Sequence, residues 1–395
     1  MTERPSDHLR LRTQPSFLEP LVANKRVVVC CGAGGVGKTT TSAALGLAGA
    51  LAGRRVLVLT IDPARRLAEA MGIPETSRAP ARIDPERLAR AGADGAGELH
   101  AWMLNPAVVF EGMVRRLTTD EARVQQILDN RLYKHISGMV AGMQEYTAAE
   151  ALYTLYESGA YDLIVLDTPP SRNALEFLEA PRKLSAFLDE RIINVFLPKK
   201  GGILKAASGL IENVFTRIFG PGFYGELQGF LDAFSGMFGS MRAHSEAVRT
   251  LLTSEEATFV LVTSPEPSAL VEANFFQAKI EALGVPFAGY VLNRSWAYTR
   301  GYASPELIEM GDAPSPELAS GMAKLRQLAV EERRRADRDR KLLTGLKSRT
   351  ASGHALATPH LGGAIEDLAG LVDLARNLVQ TEELPPSSRP PPSVR

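Results

Sequence analysis

Gly32-Ala33-Gly34-Gly35-Val36-Gly37-Lys38-Thr39-Thr40 decides the fold class of this chain. The stretch satisfies the pattern G-x-x-x-x-G-K-[ST] without a gap. Its flanks satisfy the structural context that the pattern needs. Arg26 to Cys31, Arg-Val-Val-Val-Cys-Cys, reads as a short buried strand, and Thr39 to Arg54 reads as a helix of small residues. A glycine loop between such a strand and helix turns successive backbone N–H groups inward on a phosphate, at the positive end of the helix. Gly34, Gly35, Val36, Gly37, Lys38, Thr39 and Thr40 would form the cradle. Lys38 would reach the β- and γ-phosphates, and the Thr39 hydroxyl would enter a magnesium shell.

Four further apolar runs follow the loop. They are Val56 to Ile61, ending at Asp62-Pro63-Ala64; Asp162 to Leu166, ending at Asp167-Thr168-Pro169-Pro170; Thr258 to Val262, ending at Thr263-Ser264-Pro265-Glu266; and Phe287 to Leu292, ending at Asn293-Arg294. Each run is continuous rather than alternating, as strands covered on both faces are. Each leads through polar or turn residues into a helical pattern. The fold class is therefore α/β, a doubly wound and mostly parallel sheet of the P-loop NTPase kind. Ligands of such sheets lie beyond the carboxyl ends of the strands.

Two stretches interrupt the alternation. Residues 105–158 are mostly helical in period. Residues 181–252 are helical and hold eight of the fifteen phenylalanines (Phe187, Phe196, Phe215, Phe219, Phe223, Phe230, Phe234 and Phe238), with Met237 and Met241. Both read as helical insertions forming a subdomain beside the sheet. The domain organisation expected is a polar N-terminal segment over 1–24, the P-loop domain over 25–380 and a disordered Pro-rich tail over 381–395.

Composition bounds the function. The formal net charge is zero, with 45 Lys and Arg against 45 Asp and Glu, so no nucleic-acid partner is expected. The Arg-rich run Glu331 to Lys341 reads as a solvated helix face, because acids are mixed into it. The only cysteines, Cys30 and Cys31, are adjacent on a strand and point to opposite faces, which suits neither a disulfide framework nor zinc. No apolar run has the length of a membrane span, and Met1 to Pro20 holds no signal-peptide core. The expected location is cytoplasmic, compatible with peripheral attachment to a membrane.

The strand ends supply the chemistry. Asp62 would aim its carboxylate at the γ-phosphate region, to orient the attacking water or accept its proton. Asp before Pro-Ala also suits a helix N-cap. Asp167 follows Leu163-Ile164-Val165-Leu166, the Walker B arrangement, where a carboxylate joins the magnesium shell through water. Asn293 carries a donor and an acceptor on one amide, which suits the edge of adenine, although alone it reads as a turn residue.

Three stretches carry a resemblance to the ArsA family of ATPases, over about Lys25 to Val379. Gly32 to Thr40 resembles the family's P-loop. Thr60-Ile61-Asp62-Pro63-Ala64-Arg65-Arg66-Leu67 resembles its switch I, and Asp167-Thr168-Pro169-Pro170-Ser171-Arg172-Asn173-Ala174-Leu175 its switch II. The resemblance implies a catalytic role for Asp62 beside Lys38, and magnesium-linked switching for Asp167 with Thr39. It implies adenine contacts for Asn293 and, in Ala357-Thr358-Pro359-His360-Leu361, for Pro359. ATP and Mg2+ are the implied ligands, and the implied assembly is a homodimer or a heterodimer with a paralogous ATPase.

Three departures matter. The family's loop reads G-K-G-G-V-G-K-T, and its first lysine crosses the dimer to the partner's phosphates; here that position is Ala33. Arg65, Arg66 and Arg172 are candidate replacements, or else surface residues. The metalloid-binding cysteines of the arsenite pump are absent and only one P-loop is present, which speaks against arsenite. The C-x-x-C that holds interfacial zinc is absent, so a zinc-free dimer is expected. The aromatic stretch 181–252 occupies the place of the family's client-binding helices, where it would form either a groove for an apolar client helix or membrane protein, or simply core. The expected function is an ATP-driven dimeric switch that holds and releases an apolar client. The alternatives are an ATPase subunit of an anion transporter, or a regulatory nucleotide binder with low turnover.

Overall fold

The structure is a computed structural model. It describes residues 13–61, 71–74, 77–118, 120–130, 143–169, 237–298, 315–360, 365 and 367–382, with 216–217, 225–226, 228–229 and 232. Asp62, Arg65, Arg66, Arg172 and the phenylalanines from Phe187 to Phe234 lie outside the described residues.

The five expected strands are all present and lie in one eight-stranded sheet. They are β2 (Val27–Cys31), β3 (Val56–Thr60), β6 (Leu163–Asp167), β7 (Ala257–Thr263) and β8 (Phe287–Ser295). Three further strands, β4 (Ala81–Arg82), β5 (Leu99–Met103) and β9 (Ala355–Pro359), complete the order β4-β5-β3-β6-β2-β7-β8-β9. Every neighbouring pair is parallel except β4–β5 at the edge. The central strands β2, β3, β6 and β7 are buried at every residue, as their unbroken apolar runs require.

Helices cover both faces. On one side lie α1 (Glu19–Asn24), α2 (Lys38–Leu51), α3 (Pro85–Arg90) and α10 (Leu368–Val379). The other side holds α4 (Pro106–Leu117), α6 (Met143–Glu157), α7 (Phe238–Thr253), α8 (Pro267–Leu283) and α9 (Pro316–Arg349). The short α5 (Glu121–Asp129) follows α4. Along β2, Val28 and Cys30 enter the first core, whereas Val27, Val29 and Cys31 enter the second. The two cysteines therefore sit back to back across the sheet, as strand alternation demands.

Residues on both sides of the expected 25–380 domain join the folded body. Strand β1 (Thr13–Pro15) pairs antiparallel with β10 (Gln380–Glu382). The Ser16 hydroxyl bonds the Leu378 carbonyl, and Leu18 and Val22 are buried beneath α10 and α2. No described helix is long and apolar enough to cross a membrane.

Helix α9 contains the Arg-rich run, and that run is not uniformly solvated. Asp339 is fully buried; its carboxylate accepts the Trp296 N–H at 2.9 Å and the Ser295 hydroxyl at 3.3 Å, and pairs with Arg338 at 3.0 Å. Arg340 donates to the Ala297 carbonyl at 2.9 Å. These bonds fasten the middle of α9 to the turn that leaves β8. Charge patterning could not show this, because a buried Asp amid arginines reads like any exposed one.

A candidate nucleotide site at the carboxyl edge

The P-loop follows β2, between β6 and β7, where the chain's crossovers change direction along the sheet. That is the crevice in which such sheets bind ligands. Gly34 and Gly35 are exposed at its apex, whereas Ala33, Val36 and Lys38 are buried. Gly37 caps α2 in the left-handed region, with φ 91° and no side-chain cap. Gly37 thus offers no side-chain cap to the leading N–H groups of this 14-residue helix, the kind of helix end that binds anions. Two glycines have no substitute here. At Gly32 (φ 148°) a Cβ would collide with the Val262 carbonyl oxygen, and at Gly37 with the Asn293 amide nitrogen. Lys38 turns back over the loop and donates to the Ala33 carbonyl at 2.8 Å, which holds the cation inside the loop.

Beneath the loop, Asp167 ends β6 with no exposure. Its Oδ2 accepts the Thr39 hydroxyl at 2.7 Å and the Thr60 hydroxyl at 3.0 Å. The Ser42 hydroxyl lies 3.4 Å from Oδ1 and 2.9 Å from the Lys38 carbonyl oxygen. A carboxylate and a hydroxyl converging at this spacing are the hard oxygen donors that Mg2+ prefers. The residues present therefore fit the phosphate and magnesium that the loop implies: Thr39 and Asp167 would hold the ion, which would offset phosphate charge. Cys30 and Cys31 lie directly under the loop. Burial pushes both thiols up, Cys31 to about 12. They are neutral packing groups rather than ligands.

At the other end of the crevice, Asn293 is brought to the P-loop from 257 residues away in sequence. Its Nδ2 donates to the Val36 carbonyl at 2.8 Å, and its Oδ1 accepts the Thr358 hydroxyl at 2.6 Å. The Val36 carbonyl can only accept, which fixes the orientation of the amide. Among the described residues these two bonds use one N–H and one lone pair of an amide that has two of each. The β8–β9 register shifts between Leu292 and Ser295, and Arg294, at φ 56°, is the only described non-glycine residue with positive φ. That bulge re-aims the strand end. Pro359 ends β9 opposite Ser295, and the next residue, His360, stacks on Trp296 with ring centroids 4.9 Å apart.

The structure brings together Gly34 through Thr40, Asp167 and Asn293, with Pro359 on the adjacent strand end. Asp62 lies outside the described residues, and Thr60, two positions before it, reaches the site. Sequence reasoning missed Ser42, Thr60 and Thr358. A signal for Thr60 existed, since it opens the switch-I-like stretch Thr60 to Leu67. Ser42 and Thr358 left none.

The fold and site define a P-loop nucleotide-binding protein. The sequence profile described as anion-transporting ATPase (ArsA_ATPase) matches residues 25–300, more than half of the chain, and the chain belongs to that family, whose members hydrolyse ATP. It is 29% identical over 167 residues to "Putative arsenical pump-driving ATPase 1" of Aquifex aeolicus, covering 41% of this chain and 40% of that protein. It is 23% identical over 283 residues to ATPase GET3 of Malassezia globosa, covering 71% and 76% of the two chains. With ATPase GET3 of Chaetomium globosum it shares 25% identity over 266 residues, or 67% and 71%.

Proposed function

We propose that this protein binds ATP with magnesium and hydrolyses it, as a dimeric switch that couples turnover to the holding and release of an apolar, membrane-protein-like client. One observation carries the reading: the buried Asp167 carboxylate ties the P-loop hydroxyl of Thr39 to the ends of both β3 and β6. The segments that follow those strands begin with Ile61-Asp62 and with Thr168. A ligand that draws on Thr39 and Asp167 is therefore felt at the root of both, as in order–disorder switches governed by a γ-phosphate. In this reading Asp62 activates the water, Lys38 neutralises developing phosphate charge, and Asn293 and Pro359 receive the adenine.

The client half of the reading has support from exposed apolar surface. The part of helix α9 before Asp339 is about 35 Å long at 1.5 Å per residue. It exposes Leu318 (54%), Leu325 (56%) and Leu328 (55%). Within the aromatic stretch 181–252 the described Met237 and Met241 are buried, so these two belong to the core.

An ATPase subunit of an anion transporter is the second reading, favoured by the family's description. Both cysteines are buried under the P-loop, which leaves such a transporter no thiols for a metalloid.

The test measures oligomeric state by light scattering, and protection of an aggregation-prone transmembrane peptide, with ATP and with ADP, using wild type and Asp62→Asn. The expected result is a dimer whose protection depends on the nucleotide, with Asp62→Asn arrested in the ATP response. A monomer in every state that gives no protection would sink the client reading.

A further inference from the structure

Thr60 stands outside the P-loop pattern and outside the acidic residues that the reaction needs. Its surroundings are nevertheless built around the site. Thr60 is 1% exposed and lies in register with Asp167 across the parallel β3–β6 pair. Its hydroxyl donates to Asp167 Oδ2 at 3.0 Å, the same oxygen that takes the Thr39 hydroxyl at 2.7 Å. The next N–H, of Ile61, donates to the Asp167 carbonyl at 3.2 Å. The end of β3 thus grips Asp167 twice, by side chain and by backbone.

A buried carboxylate needs donors on both oxygens to remain charged and fixed in direction. The Thr39 hydroxyl would serve two partners at once, its hydrogen on Oδ2 and an oxygen lone pair on a magnesium ion. Thr60 is held by a strand on both sides, paired with Met103 and with Asp167. We propose that Thr60 is a positioning residue for the magnesium-bearing carboxylate: it fixes Oδ2 of Asp167 independently of Thr39, and so couples magnesium occupancy to the start of the segment that carries Asp62. This rests on the nucleotide–magnesium reading of the site. Groups that orient a metal-binding carboxylate typically change metal affinity or activity by about 10–100-fold when removed.

Thr60→Val removes the hydroxyl at nearly constant volume, Thr60→Ser keeps it, and Thr60→Ala repeats the deletion without the added methyl. Equilibrium binding of a fluorescent ATP analogue is titrated with Mg2+ and repeated in EDTA, alongside thermal melting and the Mg2+ dependence of hydrolysis. Expected for Thr60→Val is a rise of about tenfold in the Mg2+ needed for half-saturation. Magnesium-free affinity should stay within about twofold of wild type, and Thr60→Ser should come back to within about threefold. Wild-type Mg2+ dependence in both Thr60→Val and Thr60→Ala overturns the proposal. So does an equal loss of magnesium-free binding, which would mark Thr60 as structural only. Asp167→Asn is run in parallel: if it too leaves the Mg2+ dependence unchanged, the site reading itself has failed, a result separable from failure at Thr60 alone.

Discussion

The two ends of the crevice are built on different terms. At the phosphate end, one contiguous stretch, Gly32 to Thr40, supplies the loop, the cation and the hydroxyl, and neighbouring strands add Asp167 and Thr60 in direct register. The polar groups there are buried and bonded to one another. At the other end, Asn293, Thr358 and Pro359 come from two strand ends far apart in sequence, joined by a register shift and a positive-φ Arg294. The first end is a compact motif that tolerates little change. The second is an assembly of single side chains, each replaceable at modest cost. The Asn293 amide joins them, since it bonds the loop at Val36 and fills the space that a side chain at Gly37 would need.

That contrast can be broken in steps of decreasing effect. Lys38→Ala should weaken ATP binding by more than about 100-fold, as loss of a buried charge-assisted phosphate contact does; calorimetry that finds unchanged affinity would remove the P-loop reading. Gly37→Ala strikes the joint between the two ends. It places a Cβ against Asn293 at φ 91°, and should cost about 1–3 kcal/mol of stability with at least tenfold weaker nucleotide binding. Unaltered melting would show that the two ends move apart freely.

Asn293→Ala and Thr358→Val act at the second end alone. Asn293→Ala should weaken ATP by about fivefold, and Thr358→Val by less, with Mg2+ dependence preserved in both, since one hydrogen bond is worth about 1 kcal/mol. A changed Mg2+ requirement would mean that the ends are not separable. Asp339→Asn, behind the second end, keeps the acceptor for Trp296 and loses the charge paired with Arg338. A melting shift of a few degrees with nucleotide affinity within about threefold is expected, because Arg338 is largely exposed and its pair is screened. A larger affinity loss would place α9 among the elements that control the site.

Much of this is legible in the sequence. The five apolar runs appear as β2, β3, β6, β7 and β8, within one residue at either end except that β8 continues three residues further to Ser295, because strands buried on both faces must be continuously apolar. Strands β5 and β9 escaped notice: Leu99-His100-Ala101-Trp102-Met103 mixes polar and aromatic residues near the sheet edge, and Ala355 to Pro359 is short and small. The pairing of β1 with β10 was equally hidden, since antiparallel contact between the two ends of a chain leaves no local pattern. Asp339 read as one acid among arginines.

The sequence alone determined the loop, its lysine and threonine, and the acid that ends β6, because backbone geometry and charge at that motif depend on residues adjacent in the chain. Only the tertiary structure decided that Thr60 and Thr39 share one carboxylate oxygen, that Asn293 is steered by Thr358 and Val36, and that both cysteines serve as packing. Those arrangements depend on strand order and register, which set distances between residues that no local pattern connects.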